Sequence, residues 1–216
     1  MKKYDYIFFD LDGTLSDSAP GIVNSVVYAL ERMGTPVRDR EQLKKFVGPP
    51  LYDSFRDYIG YSQAETERAV GFFREYYQEH GIFENAMYPG IDTLLEKLHA
   101  AGRICVVATS KPEPFARRIC ERYGIADFFA SICGSTMDET RTKKAEVVAY
   151  ALSSCGVSDT SRVVMVGDRM HDVAGAKENH IDCIGVLYGY GSRDELVSAG
   201  AAAIAADISE LSALLL

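Results

Sequence analysis

The chain contains no CxxC pair and no cluster of basic residues. The first absence removes the common zinc and redox signatures. The second, with a formal charge of −8, makes nucleic acid and anionic membranes poor partners. A site for an anionic substrate must then supply its own positive charge. The five cysteines, Cys105, Cys120, Cys133, Cys155 and Cys183, are scattered and odd in number, and three lie in apolar runs. They read as reduced, buried side chains, which fits a reducing, cytoplasmic compartment. No apolar run suits a bilayer span, since the alanine-rich stretch 199–216 is short and interrupted by acids. Acids also break the apolar segment behind the basic tip at residues 1–3, which excludes a signal peptide. Internal repeats and low-complexity linkers are absent as well.

What is present is enough apolar sequence for a full core. Of 216 residues, 47% are hydrophobic, sufficient for one domain plus a sizeable insertion. Short apolar runs recur at 6–9, 104–108, 128–132, 163–166, 183–187 and, weakly, 202–205. Continuous rather than alternating runs suit strands buried on both faces, the pattern of a parallel sheet between helix layers. Helical segments separate them, each closed by glycine at Gly102, Gly124 or Gly156. This alternation predicts an α/β fold with a Rossmann-like, three-layer parallel-sheet core. One segment, 16–88, shows no convincing strand. Ile22, Val26, Leu30 and Met33 share one helical face, and Ser62 to Glu65 forms a capping box. The expected organisation is a core of 1–15 and 89–216, interrupted by an inserted helical cap of 16–88.

The first strand runs Ile7-Phe8-Phe9 and stops at two carboxylates, Asp10 and Asp12. Ligands on open α/β sheets bind at the carboxyl ends of the strands, and several polar groups converge there. The second strand ends at Thr109 and Ser110; the fourth ends at Asp168, with Asp172 four residues on; Lys143 and Lys144 open the helix preceding it. Crowded carboxylates repel unless compensated. A divalent cation is the obvious remedy, and an all-oxygen ligand set favours Mg²⁺ over Zn²⁺. An EF-hand reading of "DLDG" fails, because that loop needs glycine at its sixth and glutamate at its twelfth position, where Leu15 and Gly21 stand. Taken singly, Thr109-Ser110 is also explained as a helix cap and Lys143-Lys144 as a solvated face. Their convergence on one sheet edge is what points to chemistry.

The stretches "DLDGTLSDS", "VVATSKP", "RTKKAEVV" and "VGDRMHDVAGAKENHIDCIGVLYG" stand in the order of four motifs. With them the chain resembles the haloacid dehalogenase-like hydrolases, in the branch of phosphoglycolate phosphatases and bacterial 5′-nucleotidases. The resemblance covers nearly the whole chain. It implies that Asp10 is the nucleophile that forms an aspartyl-phosphate and Asp12 the general acid/base. It implies that Thr109, with Ser110 beside it, holds the phosphoryl group. Lys144 best matches the lysine of the third motif, with Lys143 its rival. Asp168 is implied as a metal-binding acid and Asp172 as the partner that orients the lysine or a metal-bound water. Mg²⁺ would be held by Asp10, Asp168 and the backbone carbonyl of Asp12. Backbone amides near Gly13 and Ser110 are expected as further phosphate donors.

The function implied is a Mg²⁺-dependent phosphomonoester hydrolase of the cytoplasm, acting on a small phosphorylated metabolite such as phosphoglycolate or a nucleoside 5′-monophosphate. Its partner is that small phosphate ester, with no nucleic acid or membrane, in a monomer or homodimer. A sugar phosphomutase of the same superfamily shares every motif. A receiver-like phosphoacceptor also combines clustered acids, Mg²⁺, threonine and lysine, but the DxD at the first strand and the long insertion stand against it. The cap is expected to select the alcohol half of the substrate.

Overall fold

A computed structural model describes residues 4–138 and 140–216. It divides the chain into two compact units, a core of 1–16 and 87–216 and an inserted unit of 17–86. The chain passes between them through two short strands that pair with each other, β2 (Ser16–Asp17) and β3 (Ala86–Met87).

The core is built on six strands: β1 (Tyr6–Phe9), β4 (Ile104–Pro112), β5 (Phe129–Ser135), β6 (Val163–Gly167), β7 (Asp182–Val186) and β8 (Ala203–Ala205). They lie in the order β5-β4-β1-β6-β7-β8, and every pairing is parallel. β1 sits in the middle, with Tyr6 level with Ile104 on one side and Val163 on the other. The sheet therefore reverses its winding at β1, and a crevice opens at the carboxyl end of that strand. Ile7, Phe8 and Phe9 are fully buried. A strand covered on both faces needs an apolar side chain at every position, which is why the run is continuous.

The helices of the core are α4 (Ile91–Ala100), α5 (Glu113–Arg122), α6 (Lys144–Ser154), α7 (Met170–Glu178), α8 (Arg193–Ala199) and α9 (Ile208–Leu215). Phe8, Val106, Met165 and Cys183 of the sheet pack with Val147, Val148 and Ala151 of α6, Val173 and Ala176 of α7 and Leu196 of α8. α4 and α5 pack on β4, and α9 on β8. Cys105, Cys120, Cys133 and Cys183 are buried, and burial pushes the thiols of Cys105 and Cys120 up to about 12. One boundary differs from expectation. The second strand of the core does not end at Thr109 and Ser110 but continues to Pro112, with a register shift between Ala108 and Pro112. Thr109, Ser110 and Lys111 thus ride on strand backbone rather than on a helix cap.

The inserted unit is helical apart from its two strand ends. It contains α1 (Ala19–Arg32), α2 (Leu51–Ser54) and α3 (Gln63–Glu79), with short turns of helix at Glu41–Phe46, Phe55–Ile59 and Gly81–Phe83. α1 packs on α3, burying Ile22, Val26 and Leu30 on one element and Val70, Phe73 and Tyr77 on the other. Ser62 caps α3: Glu65 N–H donates to its Oγ at 3.4 Å, and Ser62 N–H donates to Glu65 Oε2 at 2.9 Å. Among the described residues, no helix is long and apolar enough to cross a membrane.

Candidate active site

The carboxyl ends of β1 and β6 face the same crevice, and the acids that follow them meet there. Carboxylate oxygens of Asp10, Asp168 and Asp172 lie within 4.8 Å of one another, and all three side chains are buried. Lys144, at the start of α6, extends into this group. Its Nζ stands 2.8 Å from Asp10 Oδ1 and 2.8 Å from Asp172 Oδ1. Lys143 is exposed and precedes α6 as its cap residue, so the geometry singles out Lys144 from the pair.

Each member is held by local backbone. Asp10 Oδ1 also accepts a hydrogen bond from Leu11 N–H at 2.8 Å, and a hydroxyl bond from Thr109 helps stabilise its carboxylate. Asp172 caps the helix it begins, its Oδ2 accepting from Arg169 N–H at 3.0 Å. Glu195 fixes the same turn from α8, with Oε1 accepting from Met170 N–H at 2.8 Å and from Arg169 Nε at 2.9 Å. Asp168 accepts from Tyr190 N–H at 2.8 Å and, at 3.4 Å, from the Thr14 hydroxyl.

Glycine makes the approach to Asp168 possible. Gly13 has φ +83°, and a Cβ there would lie 2.3 Å from Asp168 Oδ2. Gly191 is tighter still, since a Cβ would sit 1.9 Å from the Asp168 carbonyl oxygen. The "GYG" after β7 is therefore a seat for Asp168. The amide of Gly13, expected near the phosphate, donates to Ser16 O at 2.8 Å. That bond closes the turn that carries Asp12. Ser110 is half-buried beside Thr109, which is 1% exposed.

The electrostatics are those of a site short of positive charge. Burial raises the Asp10 carboxyl above its ordinary value; Lys144 draws it back, and Asp172 adds to the rise. Asp168 is pushed up to about 8 by burial and by the charges of Asp172 and Asp10. Burial alone would lower Lys144, but Asp10 and Asp172 outweigh it and hold the ammonium above the ordinary lysine value. The Lys144 ammonium thus contacts two of the three buried acids, Asp10 and Asp172, while the carboxyl of Asp168 stays raised. Hard oxygen donors with unsatisfied negative charge are the donor set that Mg²⁺ takes.

Asp12 stands outside this group. It is 8% exposed, and its carboxylate faces Lys111, whose Nζ lies 2.6 Å from Oδ2 and 2.9 Å from Oδ1. Sequence reasoning passed over Lys111, although it lies inside the quoted stretch "VVATSKP". Thr14 was missed too, and so was the seat formed by Gly189, Tyr190 and Gly191. For Lys111 the only signal was its place next to Thr109-Ser110; for the "GYG" there was none, because its partner Asp168 lies some twenty residues earlier.

Residues 7–186 match the family described as haloacid dehalogenase-like hydrolase. The chain belongs to that family. Within it, a 5′-nucleotidase of Pseudomonas aeruginosa is 44% identical over 194 residues, 90% of this chain and 87% of that one. A phosphoglycolate phosphatase of Vibrio cholerae is 31% identical over 221 residues, covering 98% and 96%. The family likeness also extends to a protein named as a tyrosine kinase, PtkA of Mycobacterium tuberculosis. PtkA is 43% identical over 188 residues, 87% of this chain but 64% of its own length. The solved structure of PtkA matches with a TM-score of 0.86 at 40% identity, covering 99% of both chains. The proteins similar to this chain thus carry names of both phosphatase and kinase type.

Proposed function

We propose that this protein is a Mg²⁺-dependent phosphomonoesterase that hydrolyses a small phosphorylated metabolite through an aspartyl-phosphate on Asp10. The observation that carries this reading is the single ammonium of Lys144 shared between Asp10 and Asp172 within a buried triad of acids. Asp10 and Asp168, with the backbone carbonyl of Asp12, would hold the ion, which supplies charge neutralisation for the phosphoryl oxygens. Lys144, fixed by Asp172, orients the Asp10 carboxylate and neutralises charge on the nonbridging oxygens. Thr109, with Ser110 next to it, binds the phosphoryl group.

Two displacements at phosphorus follow. In the first, an Asp10 carboxylate oxygen attacks, the bond from phosphorus to the ester oxygen breaks, and Asp12 gives its proton to the leaving alcohol. In the second, water attacks the aspartyl-phosphate, Asp12 takes its proton, and the bond from phosphorus to Asp10 breaks, returning the free carboxylate and inorganic phosphate. Splitting the reaction this way replaces one hard step with two easier ones. Acid/base assistance by Asp12 is worth about 10²–10⁴-fold.

We assign substrate selection to the inserted unit, as a cap for the alcohol half of the ester. The named activities of the relatives make phosphoglycolate and nucleoside 5′-monophosphates the first substrates to try. The test is a panel of phosphorylated metabolites with released phosphate as the readout, with and without Mg²⁺. Many turnovers per chain support the reading. One phosphoryl group per chain means an acceptor domain, and recovery of the phosphate on another sugar or protein hydroxyl means a transferase.

A further inference from the structure

Lys111 has no part in the chemistry above, yet it is one of the most deeply placed charges in the core. Its side chain is 5% exposed. A lysine ordinarily keeps its ammonium in water and buries only its stem, so a buried ammonium needs a full partner. Asp12 is that partner, contacted at both carboxylate oxygens, 2.6 and 2.9 Å from Nζ. The backbone beneath Lys111 is fixed on both sides. Its N–H donates to Thr109 Oγ1 at 3.2 Å, and Pro112 follows as the cap of α5. The local shift in β4–β5 register lies over the same residues.

The two lysines divide the acids between them. Lys144 serves Asp10 and Asp172, while Lys111 serves Asp12, which the acid triad does not include. We propose that Lys111 is a positioning residue for Asp12, holding its carboxylate in the orientation from which it exchanges a proton with the leaving-group oxygen. The inference rests on the reading of Asp12 as the acid/base. Lys111 itself gains and loses no proton: the proton passes from Asp12 to the departing alcohol in the first displacement and from water to Asp12 in the second. Proton transfer is steeply sensitive to the placement of the donor. The effect of Lys111 should therefore scale with how much the leaving group needs a proton.

The experiment measures kcat/KM, which reports the steps up to transfer onto Asp10, for p-nitrophenyl phosphate, phenyl phosphate and the alkyl monophosphate that wild type turns over fastest. Lys111→Met should lower the alkyl ester's kcat/KM about 10- to 100-fold more than that of the nitrophenyl ester, whose alcohol leaves without help. Asp12→Asn should steepen the series in the same way, and Lys111→Met added to Asp12→Asn should cost less than about threefold further on the alkyl ester. Lys111→Arg, which restores a two-point contact to the carboxylate, should recover part of the loss. If Lys111→Met does not fold, Lys111→Gln takes its place in the series, and the melting midpoint with Mg²⁺ verifies folding. An equal fall for all three esters, or losses that multiply in the double variant, overturns the proposal and places Lys111 on the substrate instead. Failure of the underlying reading looks different: wild type would then release phosphate from no ester, or Asp10→Asn would remain as active as wild type.

Discussion

The charge imbalance around Asp168 has a measurable thermodynamic signature. Without metal, its carboxyl in the folded protein holds its proton up to about 8, against an ordinary value of 3.8. The folded state therefore binds a proton in that window that the unfolded chain does not. Stability from this group is greatest in acid and is lost as pH rises towards 8, at about 1.4 kcal/mol per pH unit for each proton held. Between about pH 5 and pH 7 the loss is on the order of 3 kcal/mol, equivalent to roughly 5–10 °C in melting midpoint for a chain of this size. Asp168→Asn removes the titrating group and keeps the shape. The slope contributed by Asp168 is the difference between the two proteins, and general charge effects common to both cancel. Mg²⁺ acts in the opposite sense, because it binds the charged form: at a hundredfold excess over its dissociation constant it adds about 2.7 kcal/mol. That gain should be larger at pH 8 than at pH 5. The assay is thermal and urea denaturation of wild type and Asp168→Asn, in chelator and in Mg²⁺, across this range. Identical pH slopes for the two proteins in chelator, or a Mg²⁺ shift that is the same at both ends, would refute the account of the site as a triad short of positive charge.

Further outcomes are expected. Asp10→Asn should abolish turnover while leaving the circular dichroism and the melting transition near wild type; substantial residual phosphate release would remove its role as nucleophile. Lys144→Met leaves Asp10 and Asp172 buried without their cation, which should cost about 3–5 kcal/mol of stability in chelator, less with Mg²⁺, as measured by urea midpoint. Gly13→Ala forces a side chain both into a positive φ and within 2.3 Å of the Asp168 carboxylate; its Mg²⁺-induced thermal shift should shrink or vanish, and an unaltered shift would mean that the turn yields. Replacing 17–86 by a short bridge should reorder the substrate panel; an unchanged ranking would take selection away from the inserted unit.

Much of the fold was legible because a doubly covered strand leaves a distinctive trace. Ile7-Phe8-Phe9 and Val163–Val166 are continuous because each position faces a helix layer, and glycine marks where helices end. The helical insertion could be read from the periodicity of Ile22, Val26 and Leu30 and from the Ser62–Glu65 cap. The convergence of Asp10, Asp168, Asp172 and Lys144 followed from one rule about strand ends. Chain composition was silent where a contact depends on three-dimensional register. That Lys111 turns inward to Asp12 depends on β4 running on past Ala108, and a strand's last residues carry no periodic signature. The choice between Lys143 and Lys144 depends on which of two neighbours points along the α6 face towards β1, a rotation of about 100° per residue. The Asp168 seat at Gly189–Gly191 depends on close approach of backbone, which glycine permits but does not announce.

The central position of β1 also bears on how the protein is made. Its residues are synthesised before those of the other five strands of the sheet, yet Tyr6 finds one neighbour at Ile104 and the other at Val163. At about 5–20 residues per second, the strand waits roughly 8–30 s for its second partner to be synthesised. Meanwhile the helices of the insertion, local in their contacts, are complete and free to condense. The strand that carries Asp10 is thus the earliest part of the sheet to be synthesised, yet it is flanked on both sides only once Val163 has been made, and a nascent chain stalled before Val163 would carry Asp10 without Asp168 and Asp172.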